Sequence, residues 1–342
     1  MYFCNTAQIN QLKNKKINKT SRYFVKKPLF IINYITIGVL NMNKWKKVGL
    51  TALAGSLVAT SAFAGTLSVS GGASLDYSAS SEGVGNRFSM GDSVSFSGSG
   101  DMDNGLTVTV SIELDGGTYD DYSLKMDSGD AGAVTFSGAS VGAGGLNAYG
   151  DKVPTAYEEV YDATDGDDNG VVGNMSSTNA FFYNGTFGDI GLSAGWSPNA
   201  GASDTSYVVT YSGLMDGLVI GAGLGEVGTT QDEETMYVTY TVGALSLGMQ
   251  RSEIDFAASG TNDEQSTHIG ASFAVNDNLT ISTGRHEVDM GASKEDEVST
   301  GFSASYTMGS ITIAGHANQT DSQQGTVNQD ETSKSVNIGF AF

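Results

Sequence analysis

A two-residue alternation of large apolar and small side chains runs along most of this chain. In the last nine residues, 334–342, the large apolar positions are Val336, Ile338, Phe340 and Phe342. An extended strand places these four side chains on one face. No residue follows the final Phe to cover that face, so its cover must come from outside the chain. Outer-membrane lipid is the cover that such a strand predicts.

The same alternation recurs from residue 65 onwards in about sixteen segments. Between the apolar residues lie small hydroxyl-bearing ones such as Ser95, Ser97, Thr107 and Thr109. Lipid outside and water inside suit this pattern, so we predict an all-β, transmembrane, antiparallel up-and-down β-barrel. A β-sandwich or a glycine-rich β-solenoid is the alternative, since strand periodicity by itself does not exclude either.

The connections between these segments alternate between tight turns rich in Gly, Asn and Asp and longer polar loops. Residues 103–105 and 308–310 are examples of turns, and residues 115–121 and 225–234 are among the predicted long loops. Short turns on one side and long loops on the other are typical of bacterial transmembrane barrels.

Residues 42–64 have the order of a secretory signal peptide. Lys44, Lys46 and Lys47 precede an apolar run, and Ala62-Phe63-Ala64 follows it. We predict cleavage after Ala64, which makes residues 65–342 the mature barrel; a short buried helix would leave the lysines and this cleavage motif unexplained. Residues 1–41 precede a second Met and contain no acid, so we interpret them as an upstream extension from a start codon assigned too early.

All 38 acidic residues lie after Ala64, where only seven basic residues remain, a formal net charge of −31. This charge argues against nucleic acid as a partner. Cys4 is the one cysteine in the sequence, so the mature chain folds without disulfides.

One predicted connection, residues 138–179, is far longer than a hairpin loop needs, and loops of such length are usually functional. It follows the fifth predicted strand. Together with residues 94–106, read as a strand, a turn and the next strand, and with the terminal Phe342, it makes the chain resemble the general diffusion porins of Gram-negative bacteria, most closely the alphaproteobacterial type. The resemblance implies sixteen strands, a homotrimer, a third loop folded into the pore and recognition of Phe342 by the barrel-assembly machinery. Ser93 stands where related porins often carry a lumenal Arg, so the chain departs here from the basic wall that the family usually places opposite the loop.

If the loop folds inward, its charged residues surround the narrowest section of the pore. Two basic residues at strand positions that face the lumen would lie opposite them. The candidate constriction residues are Asp151, Lys152, Glu158, Glu159 and Asp162 in the loop, with Arg87 and Lys125 on the wall. Acidic rings attract cations, so a weak preference for cations is expected. The alternative is that these acids lie in bulk solvent and have little effect.

The same loop contains the first half of a calcium-binding loop, with oxygen ligands at Asp165, Asp167 and Asn169 and a glycine at Gly170. The twelfth position is Ser176 instead of a bidentate Glu, so a complete EF-hand is excluded. No cofactor is required. A partial calcium site that stiffens the loop and a plain acidic turn both remain open.

Catalytic patterns are weak. His268, His286 and His316 fall on three different predicted strands without the spacing of a metal motif, and no nucleophile motif accompanies them. Histidines of the lumen or loops are the simplest interpretation, so we predict no enzyme activity. The sequence therefore predicts a passive outer-membrane channel for ions and small hydrophilic solutes. The alternatives are a substrate-specific channel, for a sugar or another small nutrient, and then a barrel enzyme or adhesin.

Overall fold

Sixteen antiparallel strands form a closed barrel in the computed structural model, which describes residues 65–81, 87–162, 169–198, 201–291 and 293–342. The predicted upstream extension and signal peptide, residues 1–41 and 42–64, lie outside the described residues. The strands are β1 Thr66–Ser80, β2 Phe88–Asp101, β3 Thr107–Asp115, β4 Thr118–Asp127, β5 Ala133–Ala139, β6 Ala180–Phe187, β7 Ile190–Ser197, β8 Asp204–Tyr211, β9 Leu218–Val227, β10 Gln231–Val242, β11 Leu245–Phe256, β12 Glu264–Ala274, β13 Leu279–Asp289, β14 Glu297–Met308, β15 Ile311–Asp321 and β16 Glu331–Ala341.

Each strand pairs with its neighbours in sequence, and β1 pairs with β16 to close the ring. At this seam Gly71 and Phe342 exchange two backbone hydrogen bonds of 2.9 Å. Closure leaves no unpaired sheet edge, which is the condition that hydrocarbon imposes on a spanning sheet. The predicted fold class and strand number are confirmed.

Alternate side chains face opposite surroundings, as the sequence period predicts. On β10, Thr235 and Tyr237 face inward and are 5% and 7% exposed, whereas Met236 and Val238 face outward and are 63% and 38% exposed. Large apolar residues therefore form the outer surface instead of an interior core. Helical structure in the described residues is limited to 3-10 turns at Gly129–Ala131, Gly145–Ala148 and Gln323–Gly325. None of the described segments is a helix long and apolar enough to cross a bilayer.

Two of the loops predicted to be long are short. β3 and β4 are joined by Gly116 and Gly117 alone, and β9 and β10 by three residues that begin with Gly228. All three glycines have positive φ, of 53°, 80° and 58°, which tight hairpins require and L side chains rarely adopt. The charged residues that suggested loops instead continue the strand pairing, as Asp232 does opposite Glu226.

Candidate functional site

The connection between β5 and β6, residues 140–179, is here called the third loop, and its described residues, 140–162 and 169–179, lie inside the barrel. Its first limb, residues 140–162, donates backbone hydrogen bonds to lumen-facing side chains of strands far apart in the ring. Leu146 N bonds Ser206 Oγ on β8 at 3.1 Å, and Lys152 N bonds Gln250 Oε1 on β11 at 2.7 Å. Further along, Asn318 on β15 donates to the carbonyl of Glu159 at 2.7 Å. The described part of the loop therefore lies in the lumen, as predicted, and it follows the wall.

Glycines on the lumen face make room for the apolar side chains of this limb. A Cβ at Gly223 of β9 would lie 2.6 Å from Leu146 Cδ2, and a Cβ at Gly270 of β12 would lie 2.6 Å from Val153 Cγ1. Leu146 is fully buried and packs with Val208 in a small apolar cluster. Side chains at these positions would collide with the loop, so glycine at the wall is what allows the loop to lie close to it.

The return limb, residues 169–179, is held differently. Buried or half-buried carboxylates at the first residues of β8 and β12 and near the start of β10 accept hydrogen bonds from its backbone. These bonds run from Gly173 N to Glu233 Oε2 at 2.8 Å, from Gly170 N to Glu264 Oε2 at 2.8 Å and from Ser176 N to Asp204 Oδ2 at 3.0 Å. Such charge-assisted bonds are stronger than neutral ones, and here they satisfy backbone groups of an irregular segment.

The predicted constriction acids gather where the first limb meets β12 and β13. Asp151 Oδ2 lies 2.6 Å from His268 Nδ1 and accepts a hydrogen bond of 2.9 Å from the Tyr161 hydroxyl. Its other oxygen accepts the backbone N–H of Val153 at 2.7 Å. The carboxylate of Glu159 is close by, because Asp151, Glu159 and His268 each place a polar atom within 4.8 Å of the other two.

Burial and mutual repulsion change the charge of this group. Desolvation, together with the charges of Asp151, Asp162 and Glu158, raises the pKa of Glu159 to about 9. Desolvation likewise raises the pKa of Asp162 to about 6. Burial also opposes ionisation of Asp151, but its hydrogen bond to His268 and the charge of that imidazole outweigh burial and hold its pKa below the usual value. At neutral pH Glu159 therefore carries a proton, and the ionised acids are fewer than the sequence count.

The three predicted bases have separate surroundings. Lys152 lies over the ring of Tyr149, 4.8 Å from its centroid, and burial lowers the pKa of this lysine. Lys125 pairs with Asp127 on β4 at 2.9 Å, and Arg87 donates to the Tyr77 hydroxyl at 3.3 Å beside the start of β2. The structure thus brings Lys152 to the constriction acids, and among the described residues it shows no hydrogen bond or ion pair from Lys125 or Arg87 to the third loop.

Only part of the predicted calcium loop is described. Asp165 and Asp167 lie outside the described residues. Asn169 directs its amide nitrogen to Glu297 Oε2 at 3.0 Å. The calcium prediction therefore stays a prediction.

The wall that the third loop does not cover, formed by β1 to β4, carries mainly hydroxyl groups towards the lumen. Ser97 and Ser111 are directly opposed on β2 and β3, and their hydroxyls are 3.3 Å apart. On these four strands one basic residue, Lys125, occupies a position that faces the lumen. Hydroxyl groups provide hydrogen bonds to water without fixed charge, and acids on the same face, such as Asp76 and Glu113, add to the negative charge of the third loop.

Sequence reasoning missed the contact between two of the histidines. His268 on β12 and His286 on β13 are directly opposed in the strand register, and their ring centroids are 5.4 Å apart. His316 lies on β15 and stacks on Tyr157. The register of the β12–β13 hairpin is the signal that could have found the pair, because counting outward from the turn places these positions opposite each other on one face.

Comparison with known proteins gives a consistent picture. A family model described as Gram-negative porin matches residues 49–342. No curated protein matches the chain by sequence. Similar solved structures include a porin (TM-score 0.63, 16% identity, 81% of this chain and 100% of that one) and the in-vitro folded outer membrane protein OmpT of Vibrio cholerae in a trimer form (0.62, 13%, 82% and 100%). An anion-selective porin from Comamonas acidovorans is also similar (TM-score 0.59, 17% identity, 81% of this chain and 99% of that one).

Proposed function

The chain belongs to the Gram-negative porin family and is an outer-membrane porin, and we propose that it gives ions and small hydrophilic solutes a passive, weakly cation-preferring path through the membrane. The apolar outer surface and the hydroxyl-lined lumen support a water-filled channel. In this mechanism the barrel and the third loop set the size limit by exclusion, and fixed charge biases which ions enter.

The acidic third loop, facing a wall almost without bases, is the observation that carries the cation preference. Of the strand residues beyond β4, Arg251, Arg285 and Lys334 have outward parity, so their charge faces away from the lumen. Salt screens charges over about 8 Å at physiological ionic strength, and a pore filled with water therefore discriminates only weakly. The Comamonas porin has a similar fold and is anion-selective, which agrees with selectivity being set by side chains instead of by the barrel.

Reversal potentials in a potassium chloride gradient test this proposal. The protein in a planar bilayer is expected to show a reversal potential of the sign that cation preference gives. Glu158→Gln removes an acid from the third loop and is expected to shift the potential towards zero. Glu253→Gln, which removes the same charge from the outer face of β11, should leave it unchanged. Anion preference of the unaltered protein would contradict the proposal.

Assembly into a homotrimer belongs to the same proposal. Membership of the porin family supports it, and so does the similarity to a protein described in trimer form. Sedimentation of the detergent-solubilised protein, with bound detergent matched by density, is expected to give three times the mass of the mature chain. A monomer mass at all detergent concentrations would speak against this part of the proposal.

A further inference from the structure

Two imidazoles of the barrel wall lie beside two carboxylates of the third loop. His268 and His286 come from paired strands, whereas Asp151 and Glu159 come from the loop that crosses in front of them. The side chains of His268 and His286 are 4% and 2% exposed. This group of four, here called the His–acid cluster, is largely shielded from the pore water.

The His–acid cluster contains an imidazole nitrogen without a partner. Nδ1 of His286 is buried and has no hydrogen-bond partner among the described residues. Its ring lies 4.7 Å from the ring of Tyr161, whose hydroxyl bonds Asp151, and 5.4 Å from the ring of His268. A buried nitrogen with a free lone pair or an unpaired N–H is costly, so native structures usually satisfy it with a protein group, a water molecule or an ion.

A small cavity lies beside two members of the cluster. A cavity of about 10 Å³ is bordered by Glu159, His268 and Gly284, roughly the room that one water-sized sphere needs. A Cβ at Gly284 would lie 3.4 Å from His268 Nε2. The absence of a side chain at Gly284 therefore leaves this cavity open beside the ring of His268.

From this arrangement we propose that the His–acid cluster binds a borderline transition-metal ion of the Zn²⁺ class, with Asp151, Glu159 and His268 as ligands and His286 as the fourth. Mixed imidazole and carboxylate donors suit Zn²⁺, Cu²⁺ and Ni²⁺ better than Ca²⁺ or Mg²⁺, which take oxygen ligands. Ligand atoms of a tetrahedral zinc site are roughly 3.4 Å apart. The atoms of Asp151, Glu159 and His268, all within 4.8 Å of one another, reach that geometry by side-chain shifts of about 1 Å.

Supporting hydrogen bonds already orient the first of these ligands. Tyr161 and the backbone of Val153 each donate to one oxygen of Asp151. Partners of this kind fix ligand orientation, and their loss typically costs 10–100-fold in metal affinity. Binding releases to water the proton between Asp151 and His268 and the proton that Glu159 carries at neutral pH, and the bound ion then links the third loop to the wall.

Binding of Zn²⁺ to tag-free, folded barrel in detergent tests the proposal by calorimetry, without requiring conduction. One ion per chain is expected, with affinity reduced more than about 100-fold in His268→Gln and in Glu159→Gln, because loss of a ligand costs more than loss of a group that orients one. Tyr161→Phe retains all four ligands and should weaken binding by a smaller factor. His316→Gln removes the third lumenal histidine, which lies outside the cluster, and should leave binding unchanged. Co²⁺ used as a spectroscopic probe should give the intense visible absorption of a tetrahedral site.

Each of three results would overturn the inference: no Zn²⁺ binding, equal affinity in all four variants, or Ca²⁺ binding more tightly than Zn²⁺. Heat-modifiable migration on gels confirms folding of each variant before titration. If His268→Gln does not fold, Glu159→Gln and Tyr161→Phe still decide between the outcomes. Failure of binding would leave the channel function untouched, because reversal potentials test that function separately.

Discussion

Phe342 lies at the seam where the barrel closes. Its ring is 76% exposed on the outer surface, and its backbone is bonded to Gly71. A Cβ at Gly71 would lie 2.9 Å from the ring, so the aromatic group lies directly over this glycine. An exposed terminal aromatic adds little to packing within the barrel. It is, however, accessible to a partner before the last strand is paired.

We propose that the barrel-assembly machinery recognises this side chain, and Phe342→Ala tests the proposal. The expected result is several-fold less folded protein in the outer membrane, measured by heat-modifiable migration, with refolding into detergent almost unchanged. Phe340→Ala removes an aromatic from the same face of the same strand and is the matched control. Equal losses for both variants would show a general effect of strand hydrophobicity instead of recognition of the terminus.

The charges of individual residues were only partly predictable. The sequence correctly assigned Asp151, Glu159 and Asp162 to the third loop, but their proton affinities depend on burial and on neighbours that only the structure brings together. The same holds for His268 and His286, which are separated in sequence and become neighbours through strand register. A linear motif cannot describe such a pair.

The third loop is held by two different kinds of contact. Its first limb lies against glycines of the wall, and its return limb is bonded to carboxylates near the starts of even-numbered strands. Apolar contact resists movement away from the wall, whereas charge-assisted hydrogen bonds fix the height of the backbone. The two sets are separate enough to be altered one at a time.

Gly223→Leu tests the first set. The added side chain would collide with Leu146, and overpacking of this kind costs about 1–3 kcal/mol. The loop is expected to move towards the pore axis and to lower the single-channel conductance. Gly98→Leu is the control, because no atom lies within 4 Å of a Cβ at that outward-facing glycine. Unchanged conductance in Gly223→Leu would mean that the loop does not rely on this contact.

Glu233→Ala tests the second set. Glu233 accepts hydrogen bonds from the backbone N–H groups of Gly173 and Asn174 and from the Asn174 side chain. Losing this acceptor should speed hydrogen exchange of these amides by at least roughly tenfold, equivalent to about 1.4 kcal/mol. Glu234→Ala removes the neighbouring, outward-facing acid and should not change the exchange. Mass spectrometry of the peptide that covers residues 170–176 makes the comparison, and equal protection in both variants would contradict it.

Among the connecting elements, the third loop was predictable by its length, and its route along the wall was not. Lumen-facing glycines such as Gly223 and Gly270 look in sequence like turn residues or weak points of a strand. The β3–β4 and β9–β10 connections were wrongly predicted to be long, because charged residues were taken to mark the ends of the strands. Strand pairing continues past the apolar band, and glycines with positive φ, such as Gly116, form the turns of these hairpins.

The described part of the chain is a closed sheet whose apolar and polar faces are reversed relative to a soluble sandwich. Large apolar residues such as Met236 and Phe302 are exposed on its outer surface, at 63% and 51%, and polar residues such as Ser252 and Ser299 face inward. This arrangement was predictable from the two-residue period, because a strand has only two faces and lipid fixes which one is apolar. The period could not distinguish a barrel from a sandwich until the absence of edges in the closed ring was seen.

Single-channel recording in a planar bilayer tests the central claim most directly, because it asks whether the polar lumen is a continuous column of water. Purified, folded protein is expected to insert with discrete steps of conductance that rise in proportion to salt concentration, and to appear in groups of three if the trimer forms. A folded protein that incorporates into the bilayer and passes no ionic current would contradict the account.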